Sequence, residues 1–218
     1  YLGGGSLESH IREVGTLPLG NAIEIAFQIG LALDHIHSKG MAHLDLKPDN
    51  VLFRYTPFQD RRVRAFHPVL IDFGIAAKMS KAGPHAGSLP FMSPERISIM
   101  RGEIAPEQYG DQTKADSYGL GVLLYRMLTG KLPFDGLPRD ELTDAILKTN
   151  PRRPSELQAN IPIKVDEIVM NALAKDPDQR PRIEEIITRL DEAAITRPPS
   201  PPMPQRPAAQ RIPTPTLL

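Results

Sequence analysis

The chain has 218 residues, 40% of them hydrophobic and 24% charged, an ordinary globular composition and enough length to bury roughly 70% of the unfolded surface in one main domain. Its 26 basic residues balance 26 acidic ones, so no overall field draws it to nucleic acid or to an anionic membrane, and charge-based recognition has to be local. Cysteine is absent, which excludes a disulfide framework, thiol catalysis and cysteine-ligated zinc and fits the cytosol.

In chain order, the segment from Tyr1 to Ser6 reads as a connector entering a helix. The chain begins at tyrosine rather than methionine, and the expectation is a fragment of a longer protein. Apolar residues at Ala22, Ala26, Ile29, Leu33 and Ile36 share one face of a helix predicted from Leu19 to Lys39, with Gly40 as its C-cap. Two short strands follow, Val51 to Phe53 and Val69 to Ile71. The polar, arginine-rich stretch from Arg54 to His67 should be an extended hairpin connection. Residues from Lys114 to Leu128 are apolar on nearly every side, including Leu120, Val122, Leu123, Leu124 and Met127, so this helix should be a buried central post. Helical spacing returns at Arg139 to Lys148, Val165 to Ala174 and Arg182 to Ala194, punctuated by Pro154, Pro162, Pro177 and Pro181.

The expected fold is therefore mainly α with a short β hairpin. After Arg197 the sequence carries prolines at 198, 199, 201, 202, 204, 207, 213 and 215 and no acidic residue. Such a stretch supplies no core and reads as a linker, or else as a PxxP ligand for an SH3-type or WW-type domain. No apolar run reaches the roughly 18 to 20 residues of a membrane span, and no basic-then-apolar leader opens the chain. This segment is expected to touch neither membrane nor nucleic acid. The predicted location is cytoplasmic, free or as the cytosolic part of a larger, membrane-anchored protein.

The densest polar constellation is His43-Leu44-Asp45-Leu46-Lys47-Pro48-Asp49-Asn50, between the long helix and the first strand. It resembles the catalytic loop of eukaryotic-type serine/threonine protein kinases. Six matched positions at about one in twenty each put coincidence on the order of 10⁻⁸ per starting residue. The resemblance implies that Asp45 accepts or orients the proton of a substrate hydroxyl. It implies further that Lys47 steadies the γ-phosphate of ATP and that Asn50 ligates magnesium. Asp72-Phe73-Gly74, after the second strand, would supply the other metal-binding carboxylate. Alone it would be an ordinary turn signal. Magnesium suits this pair, because it takes one or two protein oxygens and fills its octahedron with phosphate oxygens and water. His43 is expected to be structural, placed against the Asp72 turn.

Downstream motifs keep the family's order. Gly87 to Glu95 resembles the end of an activation segment, with Ser88 in the site and Glu95 pairing with Arg180 to pin the substrate platform. The run from Asp116 to Gly121 resembles the start of the family's central helix. Leu2 aligns with the backbone position that meets adenine, and Leu52 with the apolar floor beneath the ring. The implied chain is a truncated kinase fold. Residues 1–195 would be the hinge and C-terminal lobe of a catalytic domain, using ATP and Mg2+ to phosphorylate Ser/Thr of protein substrates, and 196–218 a proline-rich tail or linker. The glycine-rich phosphate loop, its strand lysine and its helix glutamate are not among the 218 residues, and Leu2-Gly3-Gly4-Gly5-Ser6 does not replace them. The missing small lobe is thus an expected partner, and the isolated fragment is expected to be inactive.

Two further readings compete: a pseudokinase or scaffold, against which Asp45, Lys47, Asn50 and Asp72 argue, and a small-molecule kinase, against which the Ser93-Pro94-Glu95 platform argues. Leu44 stands where many kinases carry an arginine that pairs with a phosphate on the activation segment. Activity is therefore expected to be independent of segment phosphorylation, with Ser80→Ala changing turnover little. The run from Ser98 to Thr113 is longer than usual for the family.

Overall fold

A computed structural model describes residues 4–54, 67–72 and 89–195. The expectations at Leu2, Phe73, Gly74, Ser80, Gly87 and Ser88, at the strand connection and in the tail lie outside the described residues. Ser6 caps the first helix, α1 (Leu7–Val14), by accepting the Ser9 N–H at 3.1 Å. Eight residues with two buried apolar positions, Leu7 and Ile11, gave too short a period to be read from sequence. Gly4 lies flat against the first strand: a Cβ there would come within 2.7 Å of the Phe53 carbonyl oxygen. Glycine is needed at this position for close backbone approach, which accounts for part of the glycine run.

Helix α2 (Leu19–His37) buries Ala22, Ala26, Ile29 and Leu33 of the predicted stripe and half-buries Ile36, but stops two residues before Lys39. The reason is Gly40, whose φ of 70° breaks the helical path. Its N–H reaches the His37 carbonyl at 2.8 Å, and Met41 N–H reaches Ile36 at 3.2 Å, so the orphan carbonyls of the last turn are satisfied. Strands β1 (Val51–Phe53) and β2 (Pro68–Leu70) pair antiparallel, with Val51 opposite Leu70. The second strand thus sits one residue earlier than predicted. Proline is tolerated as its first residue, and the chain leaves the extended region at Asp72, whose φ is 63°.

The helices α3 (Pro94–Met100), α4 (Thr113–Thr129), α5 (Arg139–Lys148), α6 (Pro154–Leu157), α7 (Ile163–Ala172) and α8 (Ile183–Ile195) complete the described architecture. Of the predicted punctuating prolines, Pro154 stands in the first turn of α6 and Pro162 just before α7, and Pro94 opens α3 in the same way as Pro154. Helix α4 is buried on nearly every side and packs against α2, α7 and α8. Close packing depends on two glycines. A Cβ on Gly121 would meet that of Ala172 at 2.8 Å, and one on Gly30 would meet Ile187 Cγ1 at 2.8 Å. The mainly helical architecture with a small two-stranded sheet agrees with the expected fold class. No helix among the described residues is long and apolar enough to cross a membrane.

Candidate active site

The loop from His43 to Asn50 is shaped by one buried carboxylate. Asp116, in the first turn of α4 and 1% exposed, accepts the N–H of His43 at 2.7 Å, the N–H of Leu44 at 2.8 Å and Nε2–H of His37 at 2.8 Å. These bonds hold Leu44 at a φ of 64°, a conformation that costs a branched side chain about 1 to 3 kcal/mol unless its surroundings fix it. The reversal delivers Asp45. Its Oδ2 lies 3.0 Å from Lys47 Nζ and accepts from Asn50 Nδ2 at 3.1 Å, while the same amide nitrogen donates to the Asp45 carbonyl at 2.9 Å. Three predicted site residues therefore meet. With its nitrogen turned to Asp45, Asn50 has its amide oxygen as the atom suited to a hard cation.

Asp72 arrives from the other strand. Ile71, immediately before it, donates its N–H to the Asn50 carbonyl at 2.9 Å, so the residues carrying the amide and the carboxylate stand at adjacent strand ends. His43 spans the same junction. Its Nδ1 accepts the Asp45 N–H at 3.3 Å, which puts the ring proton on Nε2, facing the Ile71 carbonyl at 3.2 Å. Among the described residues no three His, Cys, Asp or Glu side chains converge on a metal position. One amide and one carboxylate instead suit an ion whose remaining ligands are phosphate and water, so this donor set fits magnesium. Leu52 is half-buried in β1 and bridges Ser6. Gly4 N–H and Gly5 O bond to Phe53 at 3.1 and 3.0 Å, so the segment just after Leu2 runs beside that strand.

Arg180 is buried and forks onto Glu95, Nη1 to Oε1 at 2.6 Å and Nη2 to Oε2 at 2.5 Å. It also donates to the carbonyls of Ala174, Lys114 and Lys175. Tyr109, from the long Ser98 to Thr113 run, adds its hydroxyl to Glu95 at 3.2 Å. Burial raises the Tyr109 phenol far above its ordinary range, and the Glu95 charge adds to the effect, so it remains a neutral donor. Three contributors were not singled out from sequence: His37, Tyr109 and Arg96. Each is polar in a helix or loop that could equally face water, and only tertiary approach shows otherwise.

A family model described as the protein kinase domain matches residues 1–189. The chain belongs to the protein kinase family. Relatives named as serine/threonine-protein kinases place it with the Hanks-type serine/threonine kinases. Serine/threonine-protein kinase PknE of Mycobacterium tuberculosis is 33% identical over 184 residues, covering 82% of this chain and 29% of that protein. Serine/threonine-protein kinase PkaA of Streptomyces coelicolor is 33% identical over 192 residues, covering 86% of this chain and 32% of that protein. Sperm motility kinase 3A of Mus musculus is 32% identical over 187 residues, 84% of this chain and 33% of that protein. The kinase chain thus spans about a third of the length of the curated relatives it matches.

Proposed function

We propose that residues 1–195 are the hinge and large lobe of a serine/threonine protein kinase that transfers the γ-phosphoryl group of ATP to hydroxyls of protein substrates. The observation that carries this reading is the meeting of Asp45, Lys47 and Asn50 beside the strand end that leads to Asp72. Asp45 orients the attacking hydroxyl and takes its proton as the oxygen bonds to phosphorus and the bond to ADP breaks. Lys47, held 3.0 Å from that carboxylate, steadies the charge of the γ-phosphate. Asn50 and Asp72 would hold magnesium, which when bound would supply neutralisation of phosphate charge. The Leu2 backbone and Leu52 seat the adenine, and Ser88 with the Glu95 and Arg180 pair forms the substrate platform.

The glycine-rich loop and its lysine are not among these 218 residues, so on this reading phosphotransfer requires a small lobe in addition to them. Residues 196–218 form a proline-rich linker able to engage an SH3-type or WW-type domain, and the enzyme works in the cytoplasm. In the full protein, Asp45→Asn should lower phosphotransfer to a generic basic protein by about 10²- to 10⁴-fold. Equal activity in the two proteins would falsify the assignment. Phosphotransfer by the 218 residues alone would overturn the requirement for a small lobe.

A further inference from the structure

Arg96 stands in the first turn of α3, beside Glu95, where a charged residue would ordinarily face water. It is only 8% exposed. Its Nη1 donates to the carbonyl oxygen of Leu44, the residue immediately before Asp45. Leu44 is also the residue held at positive φ, and its N–H is bonded to Asp116. One strained residue is therefore gripped at both ends, by a carboxylate on its donor and a guanidinium on its acceptor. Its side chain fills a third direction, packing with Ala42, Ala115 and Tyr109. Tyr109 in turn reaches Glu95, the neighbour of Arg96.

The charge is costly there. Burial pulls the Arg96 guanidinium below its ordinary value, opposed by Tyr109, Asp116, Asp45 and Glu95 around it. An apolar residue would fill the same space without that cost, so the cation points to a positional task. Many kinase catalytic loops of the kind resembled here place an arginine at position 44 itself; this chain has leucine there and brings a cation from another element.

We propose that Arg96 is a positioning residue for phosphotransfer, holding the Leu44 carbonyl so that Asp45 stays in register with the substrate platform. This rests on the kinase reading above. Because α3 also carries Glu95, the bracket makes catalytic loop and platform one mechanical unit.

The test uses the full protein with Arg96→Met, which keeps an unbranched apolar stem and loses charge and donors, beside Arg101→Met as a control. Arg101 lies at the far end of α3 and reaches Thr143 and Asp144 instead. Two quantities are read: hydrogen exchange at the His43 and Leu44 amides, and kcat against KM. In Arg96→Met, exchange should rise about tenfold and kcat should fall about tenfold with KM for ATP and peptide nearly constant. Arg101→Met should change neither. Unchanged kcat in folded Arg96→Met overturns the proposal whatever the exchange shows. Should that variant not fold, Arg96→Gln, a shorter donor without charge, is judged by the same two readouts. If wild type and Asp45→Asn prove equally inactive, the kinase reading fails, and the exchange measurement alone decides whether the bracket exists.

Discussion

Replacing Arg180 by methionine removes the donor side of the buried polar cluster around Glu95. Glu95, 8% exposed, would keep its carboxylate with the Tyr109 hydroxyl as its remaining side-chain donor. The carbonyls of Lys114, Ala174 and Lys175 would each lose a bond of 2.7 to 3.0 Å, and the Tyr118 ring would lose the cation lying 5.3 Å from its centroid. Breaking a buried pair from one side costs about 3 to 5 kcal/mol. For a chain of this size each kcal/mol lowers Tm by about 2 to 4 °C, giving a fall of roughly 6 to 20 °C. Thermal unfolding followed by circular dichroism measures it. The double variant Glu95→Met with Arg180→Met should recover part of the loss, since no carboxylate is then stranded. A single variant within about 2 °C of wild type, or a double variant no better than the single, refutes the reasoning.

Gly121→Ala sets two effects against each other. Alanine gains about 1 kcal/mol of helix propensity, but its Cβ would lie 2.8 Å from that of Ala172, a neighbour with no flexible end to swing aside. Overpacking at about 1 to 3 kcal/mol should win, lowering the urea midpoint at constant m; a raised midpoint would contradict the close packing of α4 on α7. Lys175 donates to the Ile146 carbonyl at 2.7 Å and sits 4.6 Å from the Phe134 ring centroid, yet burial, then the Arg180 charge, push its pKa down to about 8. A base with a lowered folded pKa binds fewer protons folded than unfolded, so its destabilising effect is complete below that value and is relieved as pH rises toward the unfolded one. The stability of wild type relative to Lys175→Met should therefore increase from pH 8 to 10, and a flat difference would count against the burial argument.

Long elements with a clear period were legible in the sequence. Helix α2 could be read from Ala22, Ala26, Ile29 and Leu33, and α4 from its unbroken apolar run, because burial on one face or all faces leaves a repeating mark. The loop motif was legible for another reason: chemistry fixes residue type at Asp45, Lys47 and Asn50 with no helical or strand period at all. Helix α1 left too few apolar positions to register. The β2 boundary depended on where the chain turns at Asp72, a backbone event with φ of 63° that side-chain pattern does not encode. Arg96 was hidden for the same reason in reverse, since its carbonyl partner lies 52 residues away in sequence.

The grip of Asp116 on main-chain N–H groups at 43 and 44 bears on which side chains position 44 tolerates. A carboxylate that bonds amides, which every residue but proline possesses, sets the trajectory of the loop without inspecting the side chains hung upon it. Leucine at position 44 therefore keeps the same main-chain bond to Asp116 that any other residue with an N–H would make there. The constraint moves to position 116, in another helix, where shortening or neutralising the side chain would unshape the loop from beneath.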